Sequence, residues 1–169
     1  GQLLGVLDAT LARSIIEAFA DARWYYHEDV LKKLAADHEL AYLDTIIVWA
    51  AANPVEGLGV LAPFESPRIA PRAAQAVFRL KKAQAVGRAW IDAHREAAII
   101  GLVPDAVGKP GVERLAAEHV LRMLAREGHE ELVMSIAERY GEAARDAVRA
   151  VLDADALELL PKKLPALPD

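Results

Sequence analysis

The chain has no cysteine, which excludes a disulfide framework, thiolate metal sites and a cysteine nucleophile. It also has few aromatics, 6% of 169 residues against 54% hydrophobic. The apolar content is therefore mostly Ala, Leu, Val and Ile, and Ala and Leu carry little cost in a helix. Long apolar runs are missing too. The most apolar stretch, TIIVWAAA from Thr45 to Ala52, stops at Asn53-Pro54, far short of the roughly 18 residues a membrane span needs. The opening, GQLLGVLDAT, has no basic region and no cleavage signature, so nothing in it points to secretion, and the cytoplasm is the compartment expected. Strand signals are nearly absent, with no alternating run between turn dipeptides and no Asn-Gly or Asp-Gly hairpin. A net charge of -5 argues against attraction of the whole surface to nucleic acid or acidic membrane, while leaving room for a local basic patch.

What is present reads as helix. Asp8 suits the N-cap of a helix reaching about Ala22, with Leu11, Ile15, Ile16 and Phe19 at helical spacing. EDVLKKLAAD and ELAYLDTIIVWAAA follow with short linkers, as antiparallel neighbours would. Residues 53–71 hold four prolines and two glycines and are predicted to form one long loop. Helix is expected again after Pro71 through RAAQAVFRLKKAQAV, with Gly87 dividing it from RAWIDAHREAAII and Gly101 opening a loop, VPDAVGKPG. VERLAAEHVLRMLAREG is the most regular segment. Ala116, Ala117, Val120, Leu121 and Leu124 form its apolar face, Arg114, Glu118, Arg122 and Arg126 a charged ridge, and Gly128 its C′ residue. EELVMSIAERY, closed by Gly141, and EAARDAVRAVLDAD complete the helices.

The expected class is all-α, with antiparallel helix pairs forming an irregular α-solenoid of the HEAT or armadillo kind or an irregular helical bundle. A single helical domain spans 1–155, with a long loop near 53–70. The Pro-rich tail, 156–169, with prolines at 161, 165 and 168, is expected to pack on something, and the whole reads as a fragment of a larger protein.

Over residues 63–169 the chain resembles the domain of unknown function in bacterial MolR-like proteins, called molybdate metabolism regulators, which often carry a WGR domain elsewhere. The resemblance rests most on AAIIGLVPDAVGKPG and LLPKKLPALP. It implies no catalytic residues, and the chain itself holds nothing that supports oxyanion chemistry.

Candidate sites are few. None of His27, His38, His94, His119 and His129 has the i,i+4 partner of a helical metal site. The groups His27-Glu28-Asp29 and Asp37-His38-Glu39 are read as helix-end polar residues ahead of a metal site. In GLVPDAVGKPG, Gly108-Lys109 invites comparison with a phosphate loop, but the glycine spacing is wrong, Pro110 stands where a Ser or Thr would hold magnesium, and no strand precedes it. Ser66 and Ser135 lie in no nucleophile motif. Trp24, Trp49 and Trp90 read as core. No catalytic, cofactor or metal residues are therefore assigned.

Charge is the main departure from background. Between Glu65 and Asp92 there is no acid, whereas Arg68, Arg72, Arg79, Lys81, Lys82 and Arg88 supply six cations. On a continuous helix Arg72, Arg79 and Lys82 fall within about 80° of one another, forming one basic stripe, with Lys81 and Arg88 opposite. This surface could hold an anion or a partner. Two functions compete: a non-catalytic scaffold offering its surface to protein partners or neighbouring domains, and a nucleic-acid-associated or anion-binding module using the stripe. The first is preferred, and enzyme activity ranks behind both.

Overall fold

The computed structural model describes residues 43–154, and within them every element is helical. The expectations for residues 8–22, the Trp24-Tyr25-Tyr26 cluster, His27, His38 and the tail at 156–169 lie outside the described residues. The helices are α1 (Leu43–Ala52), α2 (Pro54–Leu61), α3 (Ala70–Arg79), α4 (Gln84–Ala93), α5 (Arg95–Ala106), α6 (Val112–Leu124), α7 (Glu130–Arg139) and α8 (Glu142–Asp153), with a 3-10 turn at Pro67–Ile69. No helix of the described residues is long and apolar enough to cross a membrane.

The long loop expected near 53–70 is largely helix. Pro54 sits at the first helical position, where its missing N–H costs nothing. Asn53, at φ -128° and ψ 68°, supplies the break from α1. Gly57 lets α2 lie on α1, because a Cβ there would run into Ala50. Leu58, Val60 and Leu61 are then buried. Only 62–66 remains irregular, and it is pinned: Trp90 Nε1–H donates to the Phe64 carbonyl at 3.1 Å, and His94 Nε2–H to the Ala62 carbonyl at 2.8 Å.

Four further boundaries differ from those expected. α3 stops at Arg79 and α4 begins at Gln84, so RAAQAVFRLKKAQAV is not one helix. RAWIDAHREAAII is broken at His94, at φ -127° and ψ 48°. Gly87 and Gly101 end nothing; both lie inside helices. A Cβ on Gly87 would sit 2.8 Å from the Ala73 carbonyl oxygen and 2.9 Å from Ala76 Cβ, and one on Gly101 would strike the Pro67 carbonyl. These glycines are present because another backbone passes close by. Pro104, placed in a loop by the sequence, lies in the last turn of α5. A proline there cannot donate to the carbonyl four residues back, and that carbonyl, Ile100 O, instead accepts the Tyr140 hydroxyl at 2.8 Å.

The C-terminal helices follow the sequence closely. Ala116, Ala117, Val120, Leu121 and Leu124 are all buried. After α6 a π-helical segment, Ala125–His129, carries the turn on to a break at Gly128. Gly128 at φ 91° and Gly141, after α7, at φ 105° take the left-handed conformation. One apolar core runs from Leu43 to Val148, joined by Trp90, Ile91, Ile99 and Leu102. Taken as consecutive pairs α1–α2, α3–α4, α5–α6 and α7–α8, the helices make all their substantial contacts within a pair or with an adjacent pair.

Candidate functional site

Two kinds of charged group share this fold. The first kind is spent on holding helices together. Arg88 of α4 donates Nε–H to Asp92 at 2.8 Å and both terminal nitrogens to Glu127, at 2.8 and 2.7 Å, binding α4 to the turn after α6. The two carboxylates hold the guanidinium firmly in its charged form, its pKa raised above the ordinary arginine value. Glu118 on α6 is buried, its side chain 10% exposed, between Arg114 at 2.7 Å and Arg122 at 3.6 Å. Arg122 also donates to the Val151 carbonyl in the last turn of α8, where unpaired carbonyls favour a cation. Three members of the charged ridge read from the sequence, Arg114, Glu118 and Arg122, thus form an internal clamp, while the fourth, Arg126, is exposed.

The second kind faces solvent. Arg79, Lys81 and Lys82 are exposed, and none makes an ion pair among the described residues. Arg72 is half-buried, with its guanidinium on Gln75 at 3.4 Å. The proposed stripe of Arg72, Arg79 and Lys82 needs correction. Arg72 and Arg79, seven residues apart within α3, still share one edge of that helix. Lys82 does not belong to it, because the helix ends at Arg79 and Lys82 sits in the turn that follows. Arg88 leaves the basic set altogether, neutralised by Asp92 and Glu127.

Sequence reasoning did not find the apolar component of this surface. Phe78 and Leu80 are exposed beside these cations, and Val112 and Leu115 are exposed on α6. Phe78 packs on His119, with ring centroids 5.5 Å apart, so the end of α3 meets the outer face of α6. Val112, Leu115 and His119 fall within about 60° around α6, and the exposed Arg126 follows in the segment Ala125–His129 beyond its end. Burial, with Arg122 and Arg126 nearby, lowers the His119 pKa and keeps its ring neutral at pH 7. The available signal was the 112-115-119 spacing, which puts these residues on one side of the helix.

The other candidates have structural roles. His94 stacks on Trp90 at 5.2 Å and pins the Ala62 carbonyl. The Gly108 amide bonds to the Asp105 carbonyl at 3.1 Å and its carbonyl accepts from Arg114, so it presents no N–H to an anion. Ser66 precedes the 3-10 turn and Ser135 is exposed on α7. Trp90 is buried and Trp49 half-buried. Among the described residues no group of three or more His, Asp or Glu could hold a metal ion. Comparison of the chain with known proteins gives no match, whether to family models, to the sequences of characterised proteins or to solved structures.

Proposed function

We propose that this chain is a non-catalytic helical scaffold, an irregular α-solenoid of the HEAT or armadillo kind, within a larger cytoplasmic bacterial protein of the MolR-like sort. Its partners are other proteins or neighbouring domains of the same chain. The observation that carries this reading is the linear order of contacts. Each consecutive helix pair touches itself and the pairs beside it, which is how stacked repeats bury a core that no pair could bury alone. Such stacks leave extended outer faces for partners, and the exposed Phe78, Leu80, Val112 and Leu115 lie on such a face. The family assignment rests on the resemblance of residues 63–169.

A second reading has one specific observation behind it: Arg79, Lys81 and Lys82 are free of ion pairs among the described residues, as phosphate-binding cations would be. Affinity capture with the full chain, repeated after nuclease treatment, separates the two. The scaffold reading expects captured proteins to survive nuclease. Loss of all protein capture on nuclease treatment, with oligonucleotide retained before it, would establish the nucleic-acid reading instead.

A further inference from the structure

Among the described residues several cations make no ion pair, and three of them lie side by side. Arg79, Lys81 and Lys82 follow Phe78 directly and enclose Leu80, and all five are exposed. Across the Phe78–His119 contact, α6 continues the surface with Val112, Leu115 and His119 along one line and the exposed Arg126 beyond them. No acidic residue occurs between Glu65 and Asp92, and none occupies the 112-115-119-126 line. Glu118 and Glu127 are held by Arg114 and Arg122 and by Arg88, while Glu113, beside Val112, is exposed. The face is apolar in its middle and cationic along its Phe78–Lys82 margin, in a chain whose net charge is -5.

Resting on the scaffold reading above, we infer that the face formed by Phe78–Lys82 and by Val112, Leu115 and His119 of α6, with Arg126 beyond its end, docks an acidic amphipathic segment of a partner protein. The charge arrangement selects the chemistry. The exposed Phe78, Leu80, Val112 and Leu115 can receive the apolar face of an amphipathic peptide, and the neighbouring Lys and Arg attract carboxylates and set its orientation. A nucleic acid would use the same cations, but its phosphate backbone takes nothing from exposed Val112 and Leu115, and the protein's overall negative charge opposes it. His119, neutral at pH 7, adds ring surface to the apolar middle rather than charge.

The test is fluorescence anisotropy with the full chain and a labelled synthetic peptide of Glu and Leu, the leucines at i, i+3 and i+4 spacing. A twin peptide carries Lys in place of Glu, and single-stranded and duplex oligonucleotides serve as competing probes. The Glu-Leu peptide is expected to bind and to weaken as salt rises. Lys81→Glu with Lys82→Glu should cost about tenfold or more in affinity, and Phe78→Ala about threefold to tenfold. Arg145→Glu, an exposed cation on α8, should change nothing. Equal binding of the two peptides, no binding of the Glu-Leu peptide, or variants that bind like the parent chain would overturn the inference. Tighter binding of an oligonucleotide would put nucleic acid on this face instead. Chemical cross-links joining Lys81 or Lys82 to residues 155–169, with the added peptide excluded, would give the face to the chain's own tail and overturn it too. If partner proteins survive nuclease but are captured equally by the Phe78→Ala and Lys82→Glu variants, the scaffold reading stands and only this surface is wrong.

Discussion

Arg122 and Lys82 carry the same charge and do opposite work. Arg122, its side chain 12% exposed, is held between Glu118 and the last turn of α8, so its charge is consumed inside the fold. Lys82 sits in a four-residue turn with no ion-pair partner among the described residues. The α4–α6–α8 region uses charge as an adhesive between helices, and the α3–α4 turn leaves it outside. The number of cations in a segment therefore says little about function until those already neutralised are removed. Of the six between Glu65 and Asp92, Arg68 goes to Asp44, Arg88 to Asp92 and Glu127, and the half-buried Arg72 to Gln75, which leaves Arg79, Lys81 and Lys82 for the candidate surface.

Four substitutions sharpen this contrast. The largest effect is expected at a position without charge. Gly101→Val forces a side chain against the Pro67 carbonyl, a backbone atom that cannot swing away, and should cost about 3 kcal/mol in urea unfolding. A cost near zero would mean that α5 does not cross the 3-10 turn closely.

Glu118→Ala comes next. It leaves Arg122 nearly buried beside Arg114 with no carboxylate between them, and should destabilise by about 2 kcal/mol, below the full penalty of a buried pair because Arg114 remains partly in water. Glu118→Gln should cost less. An alanine variant as stable as the parent would dissolve the distinction between consumed and free cations.

A smaller change of opposite sign is expected at Asp105. Burial, with Glu113 close by, raises its pKa, and it lies in the last turn of α5, where a negative charge meets the negative end of the helix. A raised folded-state pKa means the group favours folding when protonated and loses that contribution as pH rises through the folded value. Asp105→Asn should therefore stabilise the chain at pH 7 by a few tenths of a kcal/mol. The gain should vanish below the ordinary carboxylate range, and a gain of equal size at pH 3 and pH 7 would rule out ionisation as its cause.

The smallest effect belongs to the free cations. Lys81→Glu with Lys82→Glu should move stability by less than about 0.5 kcal/mol, because no internal partner is lost. A large loss of stability would show that these lysines are structural after all.

The sequence made the all-α class legible, along with the buried face of α6 and the two glycines that follow α6 and α7. In each case the signal is local: a 3.6-residue apolar period, or a glycine directly after the last periodic residue. It failed where a residue's reason lies on another element. Gly57, Gly87 and Gly101 look like breakers along the chain and are contact points in space, facing Ala50, Ala73 with Ala76, and Pro67. The eight residues of α2 give too short a period to outweigh two prolines and two glycines nearby. Pro104 stays helical because Tyr140, 36 residues later in sequence, takes the carbonyl it leaves unpaired. The candidate site was half legible. Its cations were visible as a run without acids, but the stripe of Arg72, Arg79 and Lys82 assumed a helix that stops at Arg79. The apolar half needed the Phe78–His119 contact between α3 and α6, which no spacing along either helix announces.

The proposal that unpaired charge and exposed apolar surface meet on one face to serve a protein partner can be tested residue by residue. Its most direct test is backbone amide chemical-shift mapping of the isotopically labelled full chain during titration with the Glu-Leu peptide. The account predicts saturable shifts concentrated at Phe78–Lys82 and along Val112, Leu115, His119 and Arg126, with α7 and α8 silent. Shifts centred on α7 and α8, or none at all while the Lys-Leu twin perturbs the same amides, would contradict it.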